Sequence, residues 1–172
     1  EGIPKPMAEI GGKPMLWHIM KSFSQYGFNE FIICGGYKVD MIKEYFMDYY
    51  IYQSDITVDL QTNTIQIHKN RTEDWKVTVV DTGLYTATGQ RVAQIEKYIT
   101  EENFVLTYGD CLSDINIAQM VDFHHESGKS VTMAVARPTG RNASLLIDSD
   151  GMIEKKQPEE KAGEAWSNTC VS

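Results

Sequence analysis

Phe104-Val-Leu-Thr runs into Tyr108-Gly109-Asp110 and sets a carboxylate directly after an apolar segment. That placement suits a divalent cation bound together with phosphate oxygens. A carboxylate after a strand serves equally well as a helix cap, but Asp114 stands nearer the next helix and is the expected cap, which leaves Asp110 for a ligand. Lys5-Pro6-Met7, with Lys13-Pro14 eight residues on, places a lysine in a segment the prolines are expected to keep extended, where an ammonium can meet phosphate as a compact charge. On its own Lys5 reads more simply as a solvated surface lysine. Thr88-Gly89-Gln90-Arg91 opens a helix and offers a guanidinium to an anion, against the plainer reading of an exposed arginine. Cys34-Gly35-Gly36 and Asp81-Thr82-Gly83 are two more turns just past apolar runs.

The remaining titratable groups carry less chemistry. His124 and His125 are adjacent, point to different sides of a helix and cannot chelate one ion; they read as a core-edge and a solvent histidine. His18 lies beside an apolar stripe and reads as packed. Met7, Met15, Met20, Met41 and Met47 read as core filling. Tyr49, Tyr50 and Tyr52 either close the core or face a partner. Cys34, Cys111 and Cys170 are odd in number and widely spaced, which argues against a disulfide framework or a zinc site and fits a reducing cytoplasm.

The elements that must position these residues alternate. Leu16, Ile19, Met20 and Phe23 have helical spacing over 14–26, with Pro14 suited to the first turn and Gly27 to the stop. Phe31-Ile-Ile-Cys34 is too short for a helix and reads as a buried strand closed by Gly35-Gly36. A second helix is expected at 38–48, on Met41, Ile42, Tyr45 and Phe46. Period two then takes over, with Ile56, Val58 and Leu60 and then Ile65 and Ile67 flanking Gln61-Thr-Asn-Thr64, a hairpin. Strands at 76–80, 104–108 and 131–136, helices from Gly89 and over 114–127, and a strand, turn and charged stretch from 145 complete the pattern. This alternation predicts an α/β fold with a parallel or mixed three-layer sheet, whose ligands sit at the carboxyl ends of the strands.

The chain has 172 residues, enough for one hydrophobic core, with no internal repeat or linker. Its 16 Lys+Arg against 24 Asp+Glu give a formal charge of −8, too acidic for a nucleic-acid or anionic-membrane binder. No apolar run approaches the ~18 residues of a membrane span, and no signal peptide is visible.

Read together, KPMAEIGGKPMLWHIMKSFSQYGFNEFIICGGYKVDMIKEYF, VTVVDTGLYTATGQRV and FVLTYGD resemble the glucose-1-phosphate cytidylyltransferases, sugar nucleotidyltransferases of bacteria. The resemblance covers residues 4 to about 137, with the elements in the family's order and approximate spacing. It implies a Rossmann-like three-layer nucleotidyltransferase fold with a mixed, mostly parallel sheet. It also implies Mg²⁺, CTP and a sugar 1-phosphate as reactants, a cytoplasmic homo-oligomer, and a CDP-sugar product used for surface polysaccharide. By motif, Lys5 resembles the lysine on the nucleotide phosphates, Asp110 one of two metal aspartates, and Arg91 an arginine that reaches phosphate. Thr82, Gly83 and Gly89 resemble the floor and edge of the cytosine site, with Tyr108 and Gly109 beside them.

Departures cluster on the sugar side. Arg141-Asn-Ala-Ser144-Leu145 stands where the family has Arg-Phe-Gly-Ala-Leu, Glu154-Lys155-Lys156-Gln-Pro158 where it has Glu-Lys-Pro, and Asn168-Thr-Cys170 where it has Asn-Gly-Gly. Cys111 follows Asp110 where the family prefers glycine. The resemblance therefore implies Ser144, Glu154, Lys155 and Asn168 at the sugar phosphate, with Lys156 and Lys161 competing for the lysine role. It also implies a Gly-rich loop ahead of Lys5 and a second metal aspartate beyond Ser172, so residues 1–172 are expected to be a single domain lacking both. A non-catalytic nucleotide-binding homologue with a drifted sugar site is the competing expectation. A Rossmann oxidoreductase is not supported, because Cys34-Gly35-Gly36-Tyr37-Lys38 lacks the third glycine of G-x-G-x-x-G.

Overall fold

The computed structural model describes residues 2–136, 145–156 and 167–168, within two compact units, Glu1–Glu102 and Asn103–Ser172. The first unit opens with a single 3-10 turn, Lys5–Met7, and a short antiparallel pair, β1 (Glu9–Ile10) with β2 (Lys13–Pro14). Helix α1 (Met15–Ser24) buries Leu16, Ile19, Met20 and Phe23, an i, i+3, i+4, i+7 stripe that makes one face of the helix the core face. Gly27, at φ +87°, takes the left-handed conformation that ends this segment.

Strand β3 (Glu30–Gly35) follows, then α2 (Val39–Met47), the single turn α3 (Tyr49–Tyr52), the hairpin strands β4 (Ser54–Asp59) and β5 (Thr64–Asn70), and β6 (Lys76–Asp81). β3 and β6 pair in parallel, with Phe31 opposite Val77, Ile33 opposite Val79 and Gly35 opposite Asp81. Everything between them is thus one crossover connection, as a parallel pair requires. Leu16, Met20 and Ile42 form the buried centre, packed by Met7, Phe31, Ile33, Phe46, Trp75, Val77 and Val79. Helix side chains therefore lie on the β3–β6 face, and each fully buried aliphatic contributes roughly 1.5–3 kcal/mol. The β4–β5 hairpin pairs Ile56 with Ile67 and Val58 with Ile65, and these side chains remain exposed. The unit closes with α4 (Thr88–Gln94) and a 3-10 turn at Glu96–Tyr98, where Ile95 is buried.

In the second unit α5 (Ile117–Ser127) ends at Gly128, at φ +60°. Short antiparallel pairs join β7 (Val135–Ala136) with β10 (Ser167–Asn168) and β8 (Leu145–Ile147) with β9 (Ile153–Lys156).

The α/β class stands, with parallel and antiparallel sheets both present. Several expectations change in detail, among them the strand expected over 131–136, which is confined to Val135–Ala136. Among the described residues the parallel pairing is confined to β3–β6, the other four pairs being antiparallel. Among the described residues the 104–108 segment forms no ladder: Phe104, Leu106 and Tyr108 are exposed while Val105 and Thr107 are half-buried, so the period of two survives with a bridge residue at Thr107. Asp114 does not cap α5. Asn116 does, accepting the Gln119 N–H at 3.1 Å, because a cap oxygen must stand three residues before the amide it binds. Lys5 is not in an extended segment but in a tight turn, with Met7 N–H bonded to Pro4 C=O at 2.8 Å. Pro6 fits there because its missing N–H falls where no intrahelical acceptor exists.

Candidate functional site

The register of the parallel pair decides where the first unit gathers its chemistry. Gly35 and Asp81 are opposite each other, so the turns following β3 and β6 leave the sheet together at its carboxyl edge.

Thr82 is the buried polar residue of this edge, 2% exposed. Its N–H and its hydroxyl both donate to the Gly35 carbonyl, at 2.8 and 2.7 Å. Arg91 reaches the same point from α4, its Nη1 donating to the Gly35 carbonyl at 3.1 Å and to Thr82 Oγ1 at 2.5 Å. Its Nε donates to the Thr86 carbonyl at 3.0 Å and its Nη2 to the Leu84 carbonyl at 3.2 Å. Four of the five guanidinium N–H groups are thereby spent inside the chain. Gln94 Nε2 donates to the Thr82 carbonyl at 3.4 Å, and the Gly83 N–H donates to Asp81 Oδ1 at 2.9 Å.

Two glycines make room for this network. A Cβ on Gly36 would lie 2.7 and 2.8 Å from the two terminal nitrogens of Arg91 and 3.0 Å from the Gly83 carbonyl. Gly83 itself takes φ +88°, a left-handed conformation that a β-carbon disfavours. Cys34 stands just behind, half-buried, with Sγ 4.0 Å from the Arg91 carbonyl. Burial pushes its thiol pKa up against the opposing pull of the Arg91 charge, which disfavours the nucleophilic thiolate.

The structure thus brings Thr82, Gly83 and Arg91 into one network, and Gly89 sits on the same short helix as Arg91. Lys5 is exposed on its own turn; nearby in sequence, the Gly2 carbonyl accepts from the Tyr37 hydroxyl at 3.5 Å, bringing the N-terminal segment to the turn after β3. Asp110 is exposed in the second unit, on a turn with Gly109, beside a Tyr108 that is 45% exposed. Among the described residues no group of three or more His, Cys, Asp and Glu could hold a metal ion. Mg²⁺ takes one or two carboxylates and fills its sphere with water and substrate phosphates, so an aspartate such as Asp110 is a ligand type that suits it. Glu154 and Lys155 lie on β9 and Asn168 on β10, with their side chains outside the description; Ser144 and Lys161 lie outside the described residues. His124 is a core-edge residue, with Nδ1 2.9 Å from Thr132 Oγ1, and His18 Nε2 donates to the Ile10 carbonyl at 2.8 Å.

Sequence reading marked Gly35-Gly36 as a tight turn and missed its partnership with Arg91. The available signal was the glycine pair itself, since close backbone approach is what glycine at a strand end permits.

With that geometry established, comparison with known proteins fixes the class. The family described as Nucleotidyl transferase matches residues 1–146, and the chain belongs to it. Over 166 residues the chain is 44% identical to the glucose-1-phosphate cytidylyltransferase of Salmonella typhi, an alignment covering 96% of this chain and 64% of that enzyme. It is 43% identical over 152 residues to a probable glucose-1-phosphate cytidylyltransferase of Bacillus subtilis, covering 88% of this chain and 59% of that protein. The chain thus spans about 64% of the length of the first of these relatives. Among solved structures, HddC from Yersinia pseudotuberculosis complexed with GMP-PN superposes with a TM-score of 0.70 at 22% identity, covering 99% of this chain and 67% of that one. The UTP-bound UGPase from Acinetobacter baumannii gives 0.64 at 15% identity, over 98% of this chain and 66% of that one. These likenesses show a shared nucleotidyltransferase fold.

Proposed function

We propose that this protein transfers a cytidylyl group from CTP to a hexose 1-phosphate, glucose 1-phosphate first, giving a CDP-sugar and pyrophosphate. The observation that carries the reading is the 44% identity to the Salmonella typhi cytidylyltransferase, held over 96% of this chain. In the reaction a phosphate oxygen of the sugar 1-phosphate bonds to the α-phosphorus of CTP. The bond from that phosphorus to the β-phosphate oxygen breaks, and pyrophosphate leaves with the electron pair. Such a step needs alignment and charge neutralisation more than a strong base.

Lys5 supplies a compact positive charge to the triphosphate. Thr82, Gly83 and Gly89 form the floor and edge on which cytosine packs, with Tyr108 and Gly109 as further nucleotide contacts. Arg91 contributes positive charge at that edge. Asp110 would hold Mg²⁺, which when bound neutralises the phosphates. Ser144, Glu154, Lys155 and Asn168 take the sugar-phosphate side. The protein acts in the cytoplasm as a homo-oligomer, and its product enters surface polysaccharide synthesis.

The test is pyrophosphate release by the full-length protein with CTP, UTP or dTTP and a panel of sugar phosphates. CTP with glucose 1-phosphate should be the best pair, and Lys5→Ala and Asp110→Asn should each lower kcat/KM by roughly 10²-fold or more. Tight CTP binding with no turnover on any sugar phosphate would transfer the protein to the non-catalytic reading.

A further inference from the structure

We propose that Arg91 is a positioning residue, which fixes the 82–86 turn against the end of β3 and so shapes the surface offered to the nucleotide base. The inference rests on the assignment of Thr82 and Gly83 to the nucleotide site. Its physical basis is how Arg91 spends its donors. The guanidinium ties three segments together: Gly35 at the end of β3, Thr82 just past the end of β6, and the carbonyls of Leu84 and Thr86 in the turn beyond.

The acceptors matter as much as the number of bonds. Three are backbone carbonyls with no charge of their own, and the fourth is a hydroxyl whose proton already goes to Gly35. The Gly35 carbonyl accepts from Thr82 N–H, Thr82 Oγ1–H and Arg91 Nη1–H, so the two strand ends and α4 meet at one oxygen. Gly36 has to lack a side chain for the guanidinium to lie where it does. With four of five N–H groups committed, a bidentate grip on phosphate would require Arg91 to abandon the turn it holds. Its contribution to binding therefore runs through the turn, and Thr82, which is buried beneath it, belongs to the same device.

A phosphate-binding arginine and a turn-positioning arginine predict different patterns along a ligand series. Binding of CTP, CDP and CMP should be measured by calorimetry for the full-length wild type, Arg91→Lys, Arg91→Ala and Thr82→Val. Amide hydrogen exchange of residues 82–86 should be measured on the free proteins. Positioning predicts that Arg91→Ala weakens all three nucleotides by the same factor, roughly tenfold or more. Arg91→Lys should fail to rescue, because one ammonium cannot serve four acceptors. Thr82→Val, which is nearly isosteric and cannot touch phosphate, should also weaken all three equally, and exchange at 82–86 should speed up in every variant. A loss that shrinks from CTP to CMP, or recovery in Arg91→Lys, overturns the proposal in favour of direct phosphate contact. Unchanged exchange at 82–86 overturns the clamp itself. If the wild type binds none of the three, the nucleotide reading fails and the positioning role with it, while the exchange data show whether the clamp exists.

Discussion

Gly35 and Gly36 are adjacent and both are tightly enclosed, yet they are enclosed by different things. A Cβ on Gly36 would strike the end of the Arg91 side chain, whereas one on Gly35 would lie 2.8 Å from Val39 Cβ, at the first turn of α2. Valine in a helix has one strongly preferred rotamer and cannot swing away, so the helix itself would have to move. Gly35→Ala is therefore expected to destabilise the protein by about 1–3 kcal/mol, the usual range for overpacking, read as a lower urea midpoint at unchanged slope. An unaltered midpoint would mean that α2 shifts freely against β3. This constraint was half legible in sequence. A glycine pair closing an apolar run announces a turn, but the neighbours that forbid a side chain come from residues 4 and 55 positions further on, which no local pattern reveals.

Elements were most legible where a single period ran long enough to be unambiguous. Helix α1 shows its stripe in full, and strands β3 and β6 are bounded by glycine and aspartate turns, so their existence and approximate limits follow from the text. The 104–108 segment has the same apolar look, but forming a ladder depends on a neighbouring strand, and that is a tertiary fact. The hairpin was readable from its alternation, and its turn adds a local device. Asp59 Oδ1 accepts the N–H groups of Gln61 at 2.8 Å and Thr62 at 3.1 Å. The Thr62 hydroxyl foremost, and then these two amides, hold the Asp59 carboxyl below its ordinary pKa. A depressed folded pKa means the turn is fully supported above the ordinary aspartate value and loses that support as pH falls through the lower, folded one. The Gln61 and Thr62 amide resonances should therefore titrate together, with a midpoint below that of an unstructured aspartate. Asp59→Asn should abolish the titration while keeping an acceptor. A midpoint at or above the ordinary value would show that the turn is not held by this carboxylate.

At the scale of the whole molecule the sequence reached the family through the order of its motifs, because KPM, GYK, VDTG, TG-R and YGD are informative only jointly. The sugar side stayed illegible for a physical reason: hexose recognition uses a handful of directed hydrogen bonds, and the residues expected to make them depart from the family wording. The nucleotide side offers a test that needs no sugar. A ligand that binds only the folded state stabilises it by RT ln(1 + [L]/Kd), about 2.7 kcal/mol at a hundredfold excess over Kd. For a chain of this size that corresponds to a rise in Tm of roughly 5–10 °C. CTP with Mg²⁺ should produce such a shift in the full-length protein, and UTP and dTTP at the same concentration should give clearly smaller ones. Because the chain forms two compact units, melting can proceed in two steps, and any step that the nucleotide moves marks a unit that contributes to its binding. Hydrogen exchange along the melt distinguishes the steps. Equal shifts with all three nucleotides would remove the preference for cytosine while leaving the nucleotide site, and no shift with any of them would remove the site.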